Sequence, residues 1–230
     1  MFDRTFVINL DRRPDRWNEF LQRFPADWPF AEPERWSAVD GSLCDIPAWF
    51  HGGAGAWGCL QTHLDIWRLQ VQSRWDAVLV LEDDAVFSKS SVGTMQHTME
   101  IVPDDWEQVY FGGQHLDTND RPPEVVIQDE LILCRNVNRT HAYAIRLEFA
   151  EVALRHIEES DWPQDRRCHH VDYRLAELHD SHCVYAPWRF CVGQGRGTSD
   201  VRVPNGKPIH VIEHWWNQFP IVDPVTAGVV

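Results

Sequence analysis

The sequence predicts an α/β fold: one domain built on a mostly parallel central sheet flanked by helices. Three observations carry this. The run Val78-Leu-Val-Leu81 reads as a strand buried on both faces, as parallel strands are. From the first strand-like run, Phe6 to Leu10, onward, short apolar segments give way to segments of helical period. The length, 230 residues, suits one sizeable α/β domain, with residues 1–115 as its first half and 116–230 as its second.

Composition narrows the function. With 43% hydrophobic and 24% charged residues, no repeat and no low-complexity tract, the chain is ordinary globular protein. Its formal charge of -14 argues against a phosphate backbone or an anionic membrane as main partner. No apolar run reaches membrane-spanning length. The first ten residues hold only a short apolar run preceded by an acid, so no signal peptide is expected. Cysteines 44, 59, 134, 168, 183 and 191 show neither C-x-x-C pairs nor zinc spacing, so reduced thiols in a cytoplasmic protein are expected.

Taken in order, Phe6-Val-Ile-Asn-Leu10 opens as a strand and is followed by a helix through Trp17, Phe20, Leu21 and Phe24, with Pro14 suited to its first turn. The amino end of that helix would face the sheet edge where ligands bind, which makes Arg12, Arg13 and Arg16 candidates for phosphate or base contacts. A solvated basic turn is the plainer alternative. Pro33 to Val39 reads as a second strand ending in Asp40-Gly41, an acid and a glycine placed as α/β folds hold a ribose, and equally a common turn. A glycine-rich loop, Gly52, Gly53, Gly55 and Gly58, passes into a helix with Leu60, His63, Leu64 and Trp67 on one face. It lacks the G-K-[ST] of a P-loop. His63 would be a buried histidine, pointing toward the same edge as the acids.

The run from Val78 stops at three carboxylates, Glu82, Asp83 and Asp84. Alternation along a strand would place Glu82 and Asp84 on one face and Asp83 on the other. Acids of this kind can cap a helix starting near Ser88, but three in a row ending a buried strand point to a hard cation such as Mn2+ or Mg2+. Beyond them the pattern predicts a helix from Ser91 to Ile101 and a strand from Trp106 to Phe111 ending in Gly112-Gly113-Gln-His115. A hairpin over Glu124 to Arg135, a short strand from Arg139 to Ile145 and a helix from about Leu147 to Ser160 follow. His169-His-Val-Asp172 starts another helix, and Asp172 is either a cap or a catalytic base.

Together these pieces resemble glycosyltransferase family 25, the group of lipooligosaccharide and collagen galactosyltransferases. The residues that carry the resemblance are Val7-Ile-Asn-Leu-Asp-Arg-Arg-Pro-Asp-Arg16, Ala38-Val-Asp-Gly41, Gly55-Ala-Trp-Gly-Cys-Leu-Gln-Thr-His63 and Val80-Leu-Glu-Asp-Asp-Ala85. Asp172 with Leu175, Tyr185-Ala-Pro, Gln194 and Ser199-Asp200 complete it. It implies a GT-A-like nucleotide-diphospho-sugar transferase fold, a divalent metal, and inverting transfer of a hexose, galactose or glucose, from a UDP-sugar. Glu82-Asp83-Asp84 looks like the family's D-x-D metal and sugar-nucleotide motif. Asn9, Leu10, Arg13, Arg16, Asp40, Gly41, Gly58, His63 and Gln194 are the expected nucleotide-sugar contacts. Asp84 and Glu82 are the expected metal ligands, with His210 or His214 as a further one, and Asp172 the expected base. The tail Ile209 to Asn217 and the Trp-rich loops do not match the family.

The expected partners are a nucleotide sugar and a hydroxyl acceptor: a glycan first, then a hydroxylated protein, with a modified nucleic-acid base least favoured by the charge. Of the twelve tryptophans, Trp57, Trp188, Trp215 and Trp216 lie nearest the proposed site, and one or two would touch ligand. Two other classes compete. A glycoside hydrolase needs carboxylates on opposite sides of the bond, whereas these are adjacent. A silent sugar-nucleotide-binding module would keep the fold and lose base or metal ligands.

Overall fold

The structure is a computed structural model that describes residues 2–162, 169–201 and 209–211. Its strands are β1 (Arg4–Asn9), β2 (Pro33–Ser37), β3 (Ala77–Glu82), β4 (Ala85–Phe87), β5 (Gln108–His115) and β6 (Glu124–Ile127). They continue with β7 (Leu131–Leu133), β8 (Val137–Arg146), β9 (Val184–Pro187), β10 (Val192–Gln194), β11 (Gly197–Ser199) and β12 (Ile209–Val211). The helices are α1 (Pro14–Arg23), α2 (Ala54–Ser73), α3 (Ser91–Ile101), α4 (Leu147–Glu159) and α5 (Val171–Ala176).

Eight strands form the central sheet in the order β2-β1-β3-β8-β5-β9-β7-β6. β2, β1, β3, β5, β9 and β6 run one way, and β8 and β7 run against them. The mostly parallel α/β sheet is therefore present, with β8, from the second half of the chain, inserted between β3 and β5 of the first.

Both faces of β3 are covered, which is why its aliphatic run does not alternate. Val78 and Val80 face a core with Leu60, Leu64 and Trp67 of α2 and Phe149 and Ala153 of α4. Leu79 and Leu81 face the opposite core with Phe20 of α1 and Met95 of α3. All four are fully buried, worth about 1.5–3 kcal/mol each relative to exposure. That gain anchors a strand whose far end carries three acids.

Several boundaries differ from expectation. The strand predicted over Trp106 to Phe111 begins at Gln108 and runs through both glycines to His115. A Cβ on Gly112 would lie 2.3 Å from the His141 ring and 2.6 Å from the Val192 carbonyl, so the glycine marks close approach inside the sheet, where the register with β8 shifts. The second strand stops at Ser37, and the short strand at Arg139 is a ten-residue one from Val137 to Arg146. α1, α2, α3 and α4 lie where their periodicity places them, and Leu60, His63, Leu64 and Trp67 are all buried on α2. Among the described residues no helix is long and apolar enough to cross a membrane. The five described cysteines are unpaired, and Cys168 lies outside the described residues.

Candidate functional site

The carboxyl ends of β1 and β3 and the amino end of α1 meet at one edge of the sheet. β3 ends at Glu82, and Asp83 and Asp84 form the turn to β4, so the strand alternation stops before it can sort the three acids. The carboxyl group of Glu82 accepts from Thr140 Oγ1 (2.8 Å) on β8. Asp83 accepts from Asn9 Nδ2 (2.6 Å) and pairs with Arg16, whose Nη2 also lies 3.1 Å from Asp84 Oδ2. Gln194 Nε2 donates to that same Asp84 oxygen (3.2 Å), while Asp84 Oδ1 is buried without a partner. None of the acids caps a helix: α3 starts at Ser91, past β4, so the capping alternative does not hold.

Their packing has an electrostatic cost. Burial, then the charge of Asp84, pushes Glu82 up to about 8, so it holds a proton at neutral pH. Burial also raises Asp83, to about 6, although Arg16 opposes the shift. The Cys59 thiol on α2 is pushed well up by burial and then by the carboxyl groups of Glu82, Asp172 and Asp84.

The β1–α1 loop supplies the opposite charge. Arg12 Nε donates to Asp40 Oδ2 (2.6 Å), and Arg12 Nη1 and Arg13 Nη1 donate to the two oxygens of Asp200 (2.8 and 2.6 Å). Arg16 Nη1 lies 3.5 Å from Asp200 Oδ2. Three guanidinium groups thus share one carboxylate that arrives from the far end of the described chain. Asn9 is buried, with Arg35 donating to its Oδ1 (2.7 and 2.9 Å), so it locks the loop as well as Asp83. Leu10 contributes a carbonyl that accepts from Arg13 N (2.9 Å).

Asp172 sits in the first turn of α5, just after His170 at the N-cap position. Its oxygens accept from Arg139 N and Tyr173 N, both at 3.0 Å. Consecutive residues of β8 therefore hold two acids: Arg139 through its amide holds Asp172, and Thr140 through its hydroxyl holds Glu82. Arg139 has φ 77°, a strained value for a non-glycine residue.

The remaining expected contacts have other surroundings. A Cβ on Gly41 would be 1.8 Å from the Ala54 carbonyl, and one on Gly58 would be 2.4 Å from the Val39 carbonyl and 2.7 Å from Gly41 N. These glycines let the loop after β2 lie backbone to backbone on α2. Asp40 accepts from Ser42 and Arg12 at the same loop. His63 is 1% exposed, an interior residue with Nδ1 2.8 Å from Tyr143 Oη. His210 lies in β12, where the backbone alone is described, and His214, Trp215 and Trp216 lie outside the described residues. Among the described residues no three His, Cys, Asp or Glu side chains are grouped to hold a metal. Trp57 packs in a cluster with Trp49, Phe50, Trp162 and His169, and Trp188 packs against the core.

Sequence reasoning gave no role to Arg35, Thr140, Tyr143 or Asp200. A polar residue inside a buried strand was the available signal for Thr140. Asp200 was marked by the family resemblance alone, and nothing local pointed to its partners, which are 184 to 188 positions away.

Residues 53–168 match the family described as Glycosyltransferase family 25 (LPS biosynthesis protein). The chain is 31% identical over 172 residues, 65% of its length, to a Glycosyltransferase 25 family member of Aedes aegypti, of which it covers 27%. It is 28% identical over 148 residues, 54% of its length, to Procollagen galactosyltransferase 1-B of Xenopus laevis, covering 23% of that protein. It is also 29% identical over 174 residues, 66% of its length, to the human Inactive glycosyltransferase 25 family member 3, covering 29%. The chain thus spans about a quarter of the length of these curated relatives.

Proposed function

The chain belongs to glycosyltransferase family 25, and from that premise we propose that it moves a hexose, galactose or glucose, from a UDP-sugar to a hydroxyl acceptor with inversion at the anomeric carbon. The observation that carries the reading is the apposition at one sheet edge of Glu82, Asp83 and Asp84, of Arg12 and Arg13 in the β1–α1 loop with Arg16 in the first turn of α1, and of Asp172. Galactose is favoured by the procollagen galactosyltransferase among the relatives.

The acids fit a hard cation. Asp84 Oδ1 is buried with no donor, and the charge of Asp84 raises the cost of ionising Glu82, an effect that a cation between the two would offset. Asp84 and Glu82 would hold Mn2+ or Mg2+, with His210 or His214 supplying a further ligand. When bound, such a cation supplies Lewis-acid stabilisation of the departing diphosphate.

The chain's own residues do the rest. Arg13 and Arg16 give guanidinium donors for the diphosphate once Asp200 yields them, and guanidinium matches phosphate oxygens in paired bonds. Asp83 and Asn9 hold Arg16 in place, and Asp40 accepts from a ribose hydroxyl. Asp172, oriented by two amide N–H groups, keeps a lone pair on each oxygen for the acceptor proton. The acceptor oxygen bonds to the anomeric carbon, the bond from that carbon to the diphosphate breaks, UDP leaves, and the proton passes to Asp172.

A glycan is the first acceptor class, and a protein hydroxyl is the second, supported by the same relative. A silent sugar-nucleotide-binding module is the competing reading, favoured by the lack of a three-ligand metal group among the described residues.

Thermal melts against UDP-, GDP-, CMP- and dTDP-sugars, each with and without Mn2+, test the reading, followed by UDP release on addition of acceptors. The expected result is stabilisation by one UDP-sugar with Mn2+ only, about 2.7 kcal/mol at 100 times Kd, and its absence in Asp84→Ala. Stabilisation without any turnover over a broad acceptor panel would leave the binding module as the better account. No stabilisation at all would refute both.

A further inference from the structure

The interior behind Glu82 contains a chain of groups whose hydrogens can be assigned by elimination. Trp67 Nε1 lies 3.0 Å from Tyr143 Oη, and an indole N–H can only donate. Tyr143 has one hydrogen of its own, and its other close partner is His63 Nδ1 at 2.8 Å. With Trp67 donating to the phenol oxygen, the phenol hydrogen goes to Nδ1, which must then be bare. The opposite assignment would leave the Tyr143 hydrogen buried with no acceptor.

With Nδ1 bare, the single hydrogen of the imidazole ring sits on Nε2. That nitrogen is buried and has no hydrogen-bond partner. It lies 3.9 Å from Oε1 of Glu82, the oxygen to which Thr140 already donates at 2.8 Å. Thr140 thus occupies Oε1, the His63 N–H faces the same oxygen from just beyond hydrogen-bond distance, and Oε2 accepts no hydrogen bond from the described residues.

We propose that His63 is a positioning residue, locked by Trp67 and Tyr143 as its Nε2–H tautomer so that it aims a donor at Oε1 of Glu82 and turns Oε2 toward the cation. This rests on the functional reading above, which gives Glu82 to a divalent metal. His63 touches neither the nucleotide nor the reacting atoms. It acts through Glu82, the way outer hydrogen bonds orient a ligating group, and loss of such a partner typically weakens metal affinity 10–100-fold.

Two measurements on the metal-free full chain test it. Ring-nitrogen NMR of protein labelled with 15N-histidine should show His63 protonated on Nε2 in the wild type, and a mixture of tautomers in Tyr143→Phe. Calorimetric titration with MnCl2 alone should show binding about 10–100-fold weaker in His63→Leu, partly restored in His63→Gln, whose amide keeps an N–H, and intermediate in Tyr143→Phe. Circular dichroism melts confirm folding. If His63→Leu does not fold, the tautomer and the Tyr143→Phe titration decide.

A wild-type His63 protonated on Nδ1 overturns the inference, as does an Mn2+ affinity unchanged in the variants. A wild type that takes up no Mn2+ overturns the metal assignment and this role with it. Failure of the transferase reading alone has a different signature, normal Mn2+ binding with no sugar transfer.

Discussion

Glu82→Gln should make the metal-free protein more stable at pH 8. Glu82 ordinarily titrates near 4.5 and is pushed up to about 8 in the fold, by burial and then by Asp84. A carboxyl group raised in this way contributes stability that is fully present below 4.5 and is lost as pH rises through about 8. At about 1.36 kcal/mol per pH unit the shift amounts to about 5 kcal/mol as an upper bound. The side chain is 22% exposed and Arg16 is close, so about 2 kcal/mol is the better expectation. The amide keeps an oxygen for the Thr140 hydroxyl, so no bond is lost.

Urea unfolding followed by tryptophan fluorescence, in EDTA at pH 5, 6.5 and 8, reads the effect. The variant should gain about 2 kcal/mol at pH 8 and less than about 1 kcal/mol at pH 5, and it should bind Mn2+ more weakly at every pH. A variant less stable than wild type at pH 8, or a gain that does not change with pH, would refute the argument that Glu82 is strained by its own charge.

Three further outcomes are expected. Arg16→Met leaves Asp83 and Asp84 without their shared cation and should cost about 2–3 kcal/mol at pH 8, with a smaller loss at pH 5 as Asp83, raised to about 6, takes a proton; urea melts and UDP calorimetry measure both stability and an expected tenfold or greater loss of affinity. Asp172→Asn keeps an oxygen for a backbone N–H and should melt within about 1 kcal/mol of wild type, while transfer falls about 100- to 10,000-fold with the UDP-sugar Kd unchanged. Gly58→Ala drives a methyl into the Val39 carbonyl and should cost about 3 kcal/mol, whereas Gly93→Ala, with nothing within 4 Å on α3, should gain about 0.4–1 kcal/mol; thermal melts of the pair separate close approach from ordinary helix glycine.

What could be read in advance follows from range. The aliphatic run of β3 and the buried face of α2 are local patterns, and they fixed both the sheet and the edge where its acids stand. The turn at Asp83 and Asp84 is local too, but alternation was extended two residues too far, because nothing in the sequence says where extension ends. Gly112 looked like the end of a strand because a glycine's need for space near His141 is set by a strand and a segment elsewhere in the chain. Asp200 was least legible: its place on three arginines depends on the path of the whole second half. Gly41 and Gly58 suggested room for a ligand and turned out to be room for each other.

Arg139 and Thr140 hold Asp172 and Glu82 from neighbouring positions on one strand. The two acids are therefore surveyed from a common benchmark, one peptide step wide, on a strand in the interior of the central sheet. Sway of the surface loops moves whatever they carry against this benchmark, but it leaves the interval across it alone. Loops that choose an acceptor can then be rewritten over generations without re-surveying the distance between the acids. The strained backbone of Arg139 is the marker stone of that arrangement, and Arg139→Pro, which removes the amide N–H that holds Asp172, should upset both acids in a single stroke.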